Sequence, residues 1–304
     1  MTHLIPLMRR EWLQHRFAWM LLVLVPLALA VVALSLGQVE LEQDIVARTP
    51  DDLAAMLALM SFVATTSIIF LLVWLTSLFI TVTLARRDHA DRSIEFWLSL
   101  PTGHAESLAA PLLVHLLLVP AAAVVLGLLG GGAISLLVVT RFVGPGEWLA
   151  LPWGSMLAAT LSLAGRIVAG LPLATLWLSP LILLAVLSNA FFKRWGLPAL
   201  AVGLGLGSAV LQYVFGQPLL AEALGRLARG AGLALAGASR QGVVMNAQSD
   251  VIQSLQALPG WAATDFLAAL RDAASPAFAA ALAVSAALFM ALVWWRQRGA
   301  AIAG

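Results

Sequence analysis

Apolar residues along this chain come in long unbroken runs, and charge is confined to short clusters between them. Runs of about 20 apolar residues are the signature of membrane-spanning helices. Six such runs stand out, at 17–36, 53–84, 108–139, 168–191, 197–215 and 276–295. The pattern predicts an all-α fold, a polytopic membrane protein with six transmembrane helices. The second run is long enough to tilt in a bilayer or to project from it. The stretch 148–167 is also apolar, but it carries Pro152, Gly154 and Arg166. It reads as an interfacial helix preceding the fourth span.

Composition strengthens this picture. The 304 residues are 62% hydrophobic and 11% charged, with a mean hydropathy of +0.97. A typical soluble chain carries about 25% charged residues to solvate its surface, so this one needs lipid as solvent. There are no cysteines, which removes thiolate metal sites, thiol catalysis and disulfides. The pI near 9.9 does not point to nucleic acid, because the basic residues flank apolar runs and form no stripe.

Charge also sets an orientation. With the amino terminus inside, one side receives Arg9, Arg10, Arg16, Arg86, Arg87, Arg92, Lys193, Arg194, Arg296 and Arg298. Arg48, Arg141, Arg166 and the residues of the segment 216–275, including Asp265, fall outside. Every short inner loop is then basic, as the positive-inside rule requires. The expected location is a bacterial cytoplasmic (inner) membrane, crossed several times, with both termini cytoplasmic. The first run exceeds the usual signal-peptide core of about 7–15 residues, so it reads as a retained span.

The segments between spans differ in character. Residues 1–16 place Leu4, Leu7, Met8 and Trp12 against Arg9, Arg10 and Arg16, the pattern of an amphipathic helix lying on the inner surface. The inner loop 85–107 is charged, then amphipathic, then stopped by Pro101. Ile94, Trp97 and Leu98 share a helical face there, which suits either docking into a partner's groove or simple interfacial anchoring. The outer segment 216–275 is rich in Gly and Ala. In it Leu219, Leu220, Ala223, Leu224 and Leu227 fit a short amphipathic helix.

Several chemistries are missing from the sequence. No Gly-x-x-x-x-Gly-Lys-Ser/Thr occurs, and the single lysine, Lys193, lies in Phe191-Phe192-Lys193-Arg194. His3, His15, His89, His104 and His115 show no His-Glu-x-x-His spacing, and no metal site is expected. No Asp or Glu lies within the six runs, which disfavours a proton- or sodium-coupled carrier. His115 lies inside the third run and reads as a histidine bonded to a neighbouring helix. A hydroxyl line in the second run includes Ser61, Thr65, Thr66 and Thr76. With Asn189 in the fourth, these are the candidates to line a pathway, although helix packing explains such residues equally well.

At Asp91-Arg92-Ser93-Ile94-Glu95-Phe96-Trp97-Leu98-Ser99-Leu100-Pro101 the chain resembles the permease subunits of ABC-2-type exporters. The likeness extends to the amino-terminal amphipathic segment, the six-span layout, the run Leu176 to Pro180 and the long outer segment. The resemblance implies a non-enzymatic permease that binds no cofactor itself. A second permease subunit, in a homodimer or heterodimer, and separate cytosolic ATPases holding ATP and Mg would complete it. Asp91, Arg92, Glu95, Phe96, Leu98 and Pro101 would then form the ATPase-coupling helix, and Arg9, Glu11 and Trp12 would belong to an elbow helix. Rival readings are a secondary transporter or channel working without an ATPase, and a membrane anchor that transports nothing.

Overall fold

Between Leu4 and Leu36 the chain has only one interior helix breaker, Pro26. Pro6 falls in the first turn, where its missing N–H is not needed. The result is a single helix, α1 (Leu4–Leu36). In the computed structural model, which describes residues 4–38, 49–90, 104–239 and 251–303, every element is helical. The next helix, α2 (Pro50–Ala90), starts on a Thr49 cap. The Asp52 N–H donates to Thr49 Oγ1 at 3.4 Å while the Thr49 hydroxyl donates to Asp52 Oδ2 at 3.1 Å. Pro50 follows the cap at the first helical position, the one place where proline favours a helix start.

The third apolar run is built from α3 (His104–Leu113), a π turn (Val114–Leu118) and α4 (Val119–Phe142). Gly144, at φ +136°, ends it, and the short α5 (Pro145–Ala150) follows. Pro152 is the cap of α6 (Trp153–Phe192), a 40-residue helix. A 3-10 turn, Lys193–Trp195, reverses the chain into α7 (Gly196–Tyr213). The remaining helices are α8 (Leu219–Leu235), α9 (Val251–Ala273) and α10 (Pro276–Ala303).

Among the described residues, five helical runs are long and apolar enough to cross a membrane: Ile5–Leu36, Pro50–Leu84, Ala105–Phe142, Trp153–Tyr213 and Pro276–Trp295. Several such helices fit a multi-pass membrane protein. The sequence count of six differs because predicted spans four and five both lie within Trp153–Tyr213, on either side of the turn at Lys193. Two other boundaries differ. Residues 148–167 are not one separate helix: residues 148–150 close α5, Pro152 caps α6, and residues 153–167 are the first 15 of its 40 residues. The amino-terminal segment is likewise not set off from the first span, since α1 continues through Phe17 without a break.

Small residues decide how closely the helices approach. A Cβ on Gly127 would lie 2.7 Å from the Thr66 Cα, and one on Gly131 would lie 2.8 Å from the Phe62 Cα. The four-residue spacing on α4 thus matches the four-residue spacing on α2, a small-xxx-small crossing that brings two backbones into contact. The axis of the molecule is α6, which packs against α2, α7, α8, α9 and α10. Its interior Pro180 leaves the Leu176 carbonyl without its helical donor, and the Ser179 hydroxyl donates to that carbonyl at 2.7 Å. At the far end, Lys193 takes a left-handed φ of 58°. Gly196 sits so close to Asn189 that no side chain fits between them.

The segment after α7 is structured. The inward stripe of α8, with Leu220, Leu224 and Leu227 half-buried and Ala231 and Ala234 buried, is close to the predicted face, rotated so that Leu219 and Ala223 point outward. Gly230 lies against the Trp177 ring, and Trp177 in turn packs on Phe278 of α10 with ring centroids 5.0 Å apart. The buried stripe of α9 is Val251, Leu255, Leu258, Ala262, Asp265 and Ala269. That stripe has helical period, and it contains one carboxylate.

Candidate functional site

Arg166 lies about a third of the way along α6 and is 3% exposed; Asp265 of α9 is fully buried. A lone ion in such surroundings is costly, so each must be paired and hydrogen-bonded. Arg166 Nε donates to Asp265 Oδ2 at 2.9 Å, and its Nη1 and Nη2 donate to the carbonyls of Ala234 and Leu233 at 2.6 and 3.0 Å. Those carbonyls close α8, so the guanidinium sits where a helix terminus carries partial negative charge. Asp265 accepts in turn from the Gly237 N–H at 3.1 Å and the Ser239 N–H at 2.6 Å. One ion pair therefore fastens α6, α8 and α9 together. Gly170, one turn after Arg166, leaves just enough room for the Ala234 carbonyl to reach it.

Arg166 also borders a cavity of about 180 Å³ between α2, α4, α6 and α9, lined by Phe62, Thr66, Ser67, Thr160, Leu163 and Trp261 among others. Two of its hydroxyl residues, Thr66 and Ser67, come from the line predicted in the second run. Thr66 is buried, and its Oγ1 has no hydrogen-bond partner among the described residues. The other candidates are placed differently. Ser61 donates to the Leu57 carbonyl at 2.7 Å and Thr76 to the Leu72 carbonyl at 2.8 Å, each within α2. Thr65 is half-buried beside them. Asn189 Nδ2 donates to the Val82 carbonyl at 3.1 Å, joining α2 to α6. The cavity can hold a small apolar group, and Thr66 supplies the unspent polar capacity within it.

A second buried polar centre lies where α1 meets the π turn. Glu11, only 1% exposed, is within hydrogen-bonding distance of His115, Oε2 to Nε2 at 3.2 Å. His15, one turn along α1, packs its ring edge-on to His115 with centroids 5.3 Å apart. Trp19 covers the pair, 5.9 Å from His115. Of the predicted elbow residues, Glu11 thus belongs to the interior, while Arg9 and Trp12 are exposed. The residues predicted to couple to an ATPase, Asp91, Arg92, Glu95, Phe96, Leu98 and Pro101, lie outside the described residues.

Sequence reasoning missed both centres in part. Arg166 stood out within an apolar stretch, but Asp265 was counted as one acid among many in an outer segment. The signal was the period of the α9 stripe, which carries Asp265 on the apolar face. Likewise Glu11 and His15 stand four residues apart, on one helical face. Their meeting with His115, about a hundred residues later, has no local signal. Comparison with protein families, with curated proteins and with solved structures finds no match to this chain.

Proposed function

We propose that this chain is the permease subunit of an ATP-driven exporter of the ABC-2 type. It forms the translocation path with a second permease subunit and takes its energy from separate cytosolic ATPases. In this reading six passes cross the membrane, with α6 and α7 as the fourth and fifth. Residues 4–16 act as the elbow although they are continuous with α1. The loop that follows α2 is the coupling helix.

One observation carries the reading. The 41 residues of α2 form a single helix from Pro50 to Ala90, about 60 Å long at 1.5 Å per residue. That is about twice the hydrocarbon thickness of a bilayer. A stiff rod of this length links the segment beginning at Asp91 to the Gly127–Gly131 crossing and to the cavity beside Thr66. A chain without a P-loop needs such a lever, because a push applied outside the membrane must arrive inside it. The resemblance of residues 91–101 to exporter permeases supplies the partner that would push.

An ion-coupled transporter is the second reading, favoured by the buried Arg166–Asp265 pair next to the cavity, since ionisable groups inside a membrane protein often mark ion pathways. Against it, both charges are already committed: Arg166 makes three hydrogen bonds and Asp265 accepts two from the backbone besides its bond to Arg166. A pair so tied is a fastening rather than a relay.

The test is co-purification. A P-loop ATPase encoded beside this chain should co-purify with it, and the double substitution Arg92→Ala with Glu95→Ala should abolish most of that association while membrane insertion stays normal. Normal ATPase recovery with the double variant would remove the coupling role from this loop. Transport by the lone chain in vesicles, driven by an ion gradient, would replace the exporter reading with the second one.

A further inference from the structure

We propose that Glu11, His15 and His115 form a binding site for a divalent transition-metal ion, zinc by its ligand chemistry, which clamps α1 to the third apolar run. The three residues offer one carboxylate oxygen and two imidazole nitrogens, all within 4.8 Å of one another. A four-coordinate zinc with bonds of about 2.0–2.1 Å holds its ligands roughly 3.4 Å apart. Small side-chain rotations close the difference. Two imidazoles and a carboxylate suit zinc and its borderline neighbours, whereas magnesium and calcium prefer oxygen alone.

The setting favours the same conclusion. Glu11 and His15 are one turn apart on α1, so a continuous helix presents both from one face. His115 belongs to the π turn Val114–Leu118, and such widened turns inside α-helices are frequent at functional sites. The centre sits against an apolar cluster of Trp19, Val23, Ile69, Val73, Val114 and Val119. A carboxylate buried there needs strong compensation. Among the described residues, His115 Nδ1 and Trp19 Nε1 are both buried without a hydrogen-bond partner. Three protein ligands leave the fourth coordination position open for a water.

The ion would act as a staple. The window of α1 that is apolar enough to cross a membrane is only 11% buried within the chain, so α1 has little packing of its own to hold it. A metal bond to His115 ties its amino-terminal half to the run that follows the 91–103 segment. This inference does not depend on the exporter reading, since the site lies wholly within one chain.

The experiment uses the full chain, purified without a polyhistidine tag, stripped with chelator and titrated with Co²⁺ and Zn²⁺. One equivalent of Co²⁺ should bind, with the visible absorption of a low-coordinate cobalt site, and Zn²⁺ should displace it. Glu11→Gln and His15→Ala should each weaken binding at least about ten-fold, the lower end of what even outer-shell changes do to metal sites. His15 is half-exposed and its loss leaves the Glu11–His115 contact in place, so that variant is expected to fold. X-ray absorption of zinc-loaded wild type provides a reading independent of any variant, and imidazole scattering from the bound zinc is expected. Absence of saturable binding, binding unchanged in both variants, or a zinc shell of oxygen alone would each overturn the site.

Discussion

Removing the carboxylate of Asp265 would leave the Arg166 guanidinium buried with only two carbonyls for company, and it would strand the Gly237 and Ser239 N–H groups. Breaking a buried pair from one side typically costs about 3–5 kcal/mol, because an uncompensated charge remains. Asp265→Ala should therefore lower the thermal unfolding midpoint of the detergent-solubilised protein substantially, and Arg166→Met should do the same. The double variant Arg166→Met with Asp265→Leu should be less damaging than either alone, since the penalty lies in the unpaired ion rather than in the absence of the pair. If the two single effects simply add, the ion pair is not the fastening described here. At this scale the sequence was only half legible. A lone arginine in an apolar stretch signals a hidden partner, but which of the many acids it finds is a property of the fold.

The helices owe their positions to a few small residues, and glycines close together in sequence should respond very differently to the same change. Alanine at Gly127 or Gly131 sets a Cβ less than 3 Å from the backbone of α2. Overpacking of that kind costs about 1–3 kcal/mol and should outweigh the roughly 1 kcal/mol that alanine gains over glycine in a helix. Alanine at Gly132 meets only the edge of the Phe62 ring at 3.5 Å, so the propensity gain should stand and the protein should be unchanged or slightly more stable. Thermal unfolding of the three variants checks the crossing, and equal responses would argue against it. The elements themselves were mostly readable, because runs of lipid-soluble length leave little freedom. The stretch 148–167 was misread for a definite reason. Pro152 and Gly154 look like interruptions in the sequence, whereas Pro152 is the cap from which α6 starts and Gly154 lies in its first turn. The elbow boundary at Phe17 had no breaker behind it, and a helix with no reason to stop continues.

For the whole molecule, the length of α6 decides what lies on which side. From Arg166 to Phe192 is about 40 Å of helix, more than the roughly 30 Å of hydrocarbon in a bilayer. If Lys193 and Arg194 mark one boundary, the Arg166–Asp265 centre lies near the opposite one, and α8 descends from it alongside the spanning part of α6, where Gly230 meets Trp177. The charge of the short loops is the ground for proposing which boundary is which. On the orientation proposed here, Lys193, Arg194 and the arginines near Ala90 and beyond Trp295 face the cytoplasm, because basic short loops are retained there. A reporter active only in the cytosol should therefore work when fused after Arg298 and stay silent when fused near Asp250. The opposite pattern would place residues 91–101 outside the cell, beyond the reach of any ATP-driven partner. It would end the exporter reading while leaving the helix packing, the ion pair and the metal clamp as they stand.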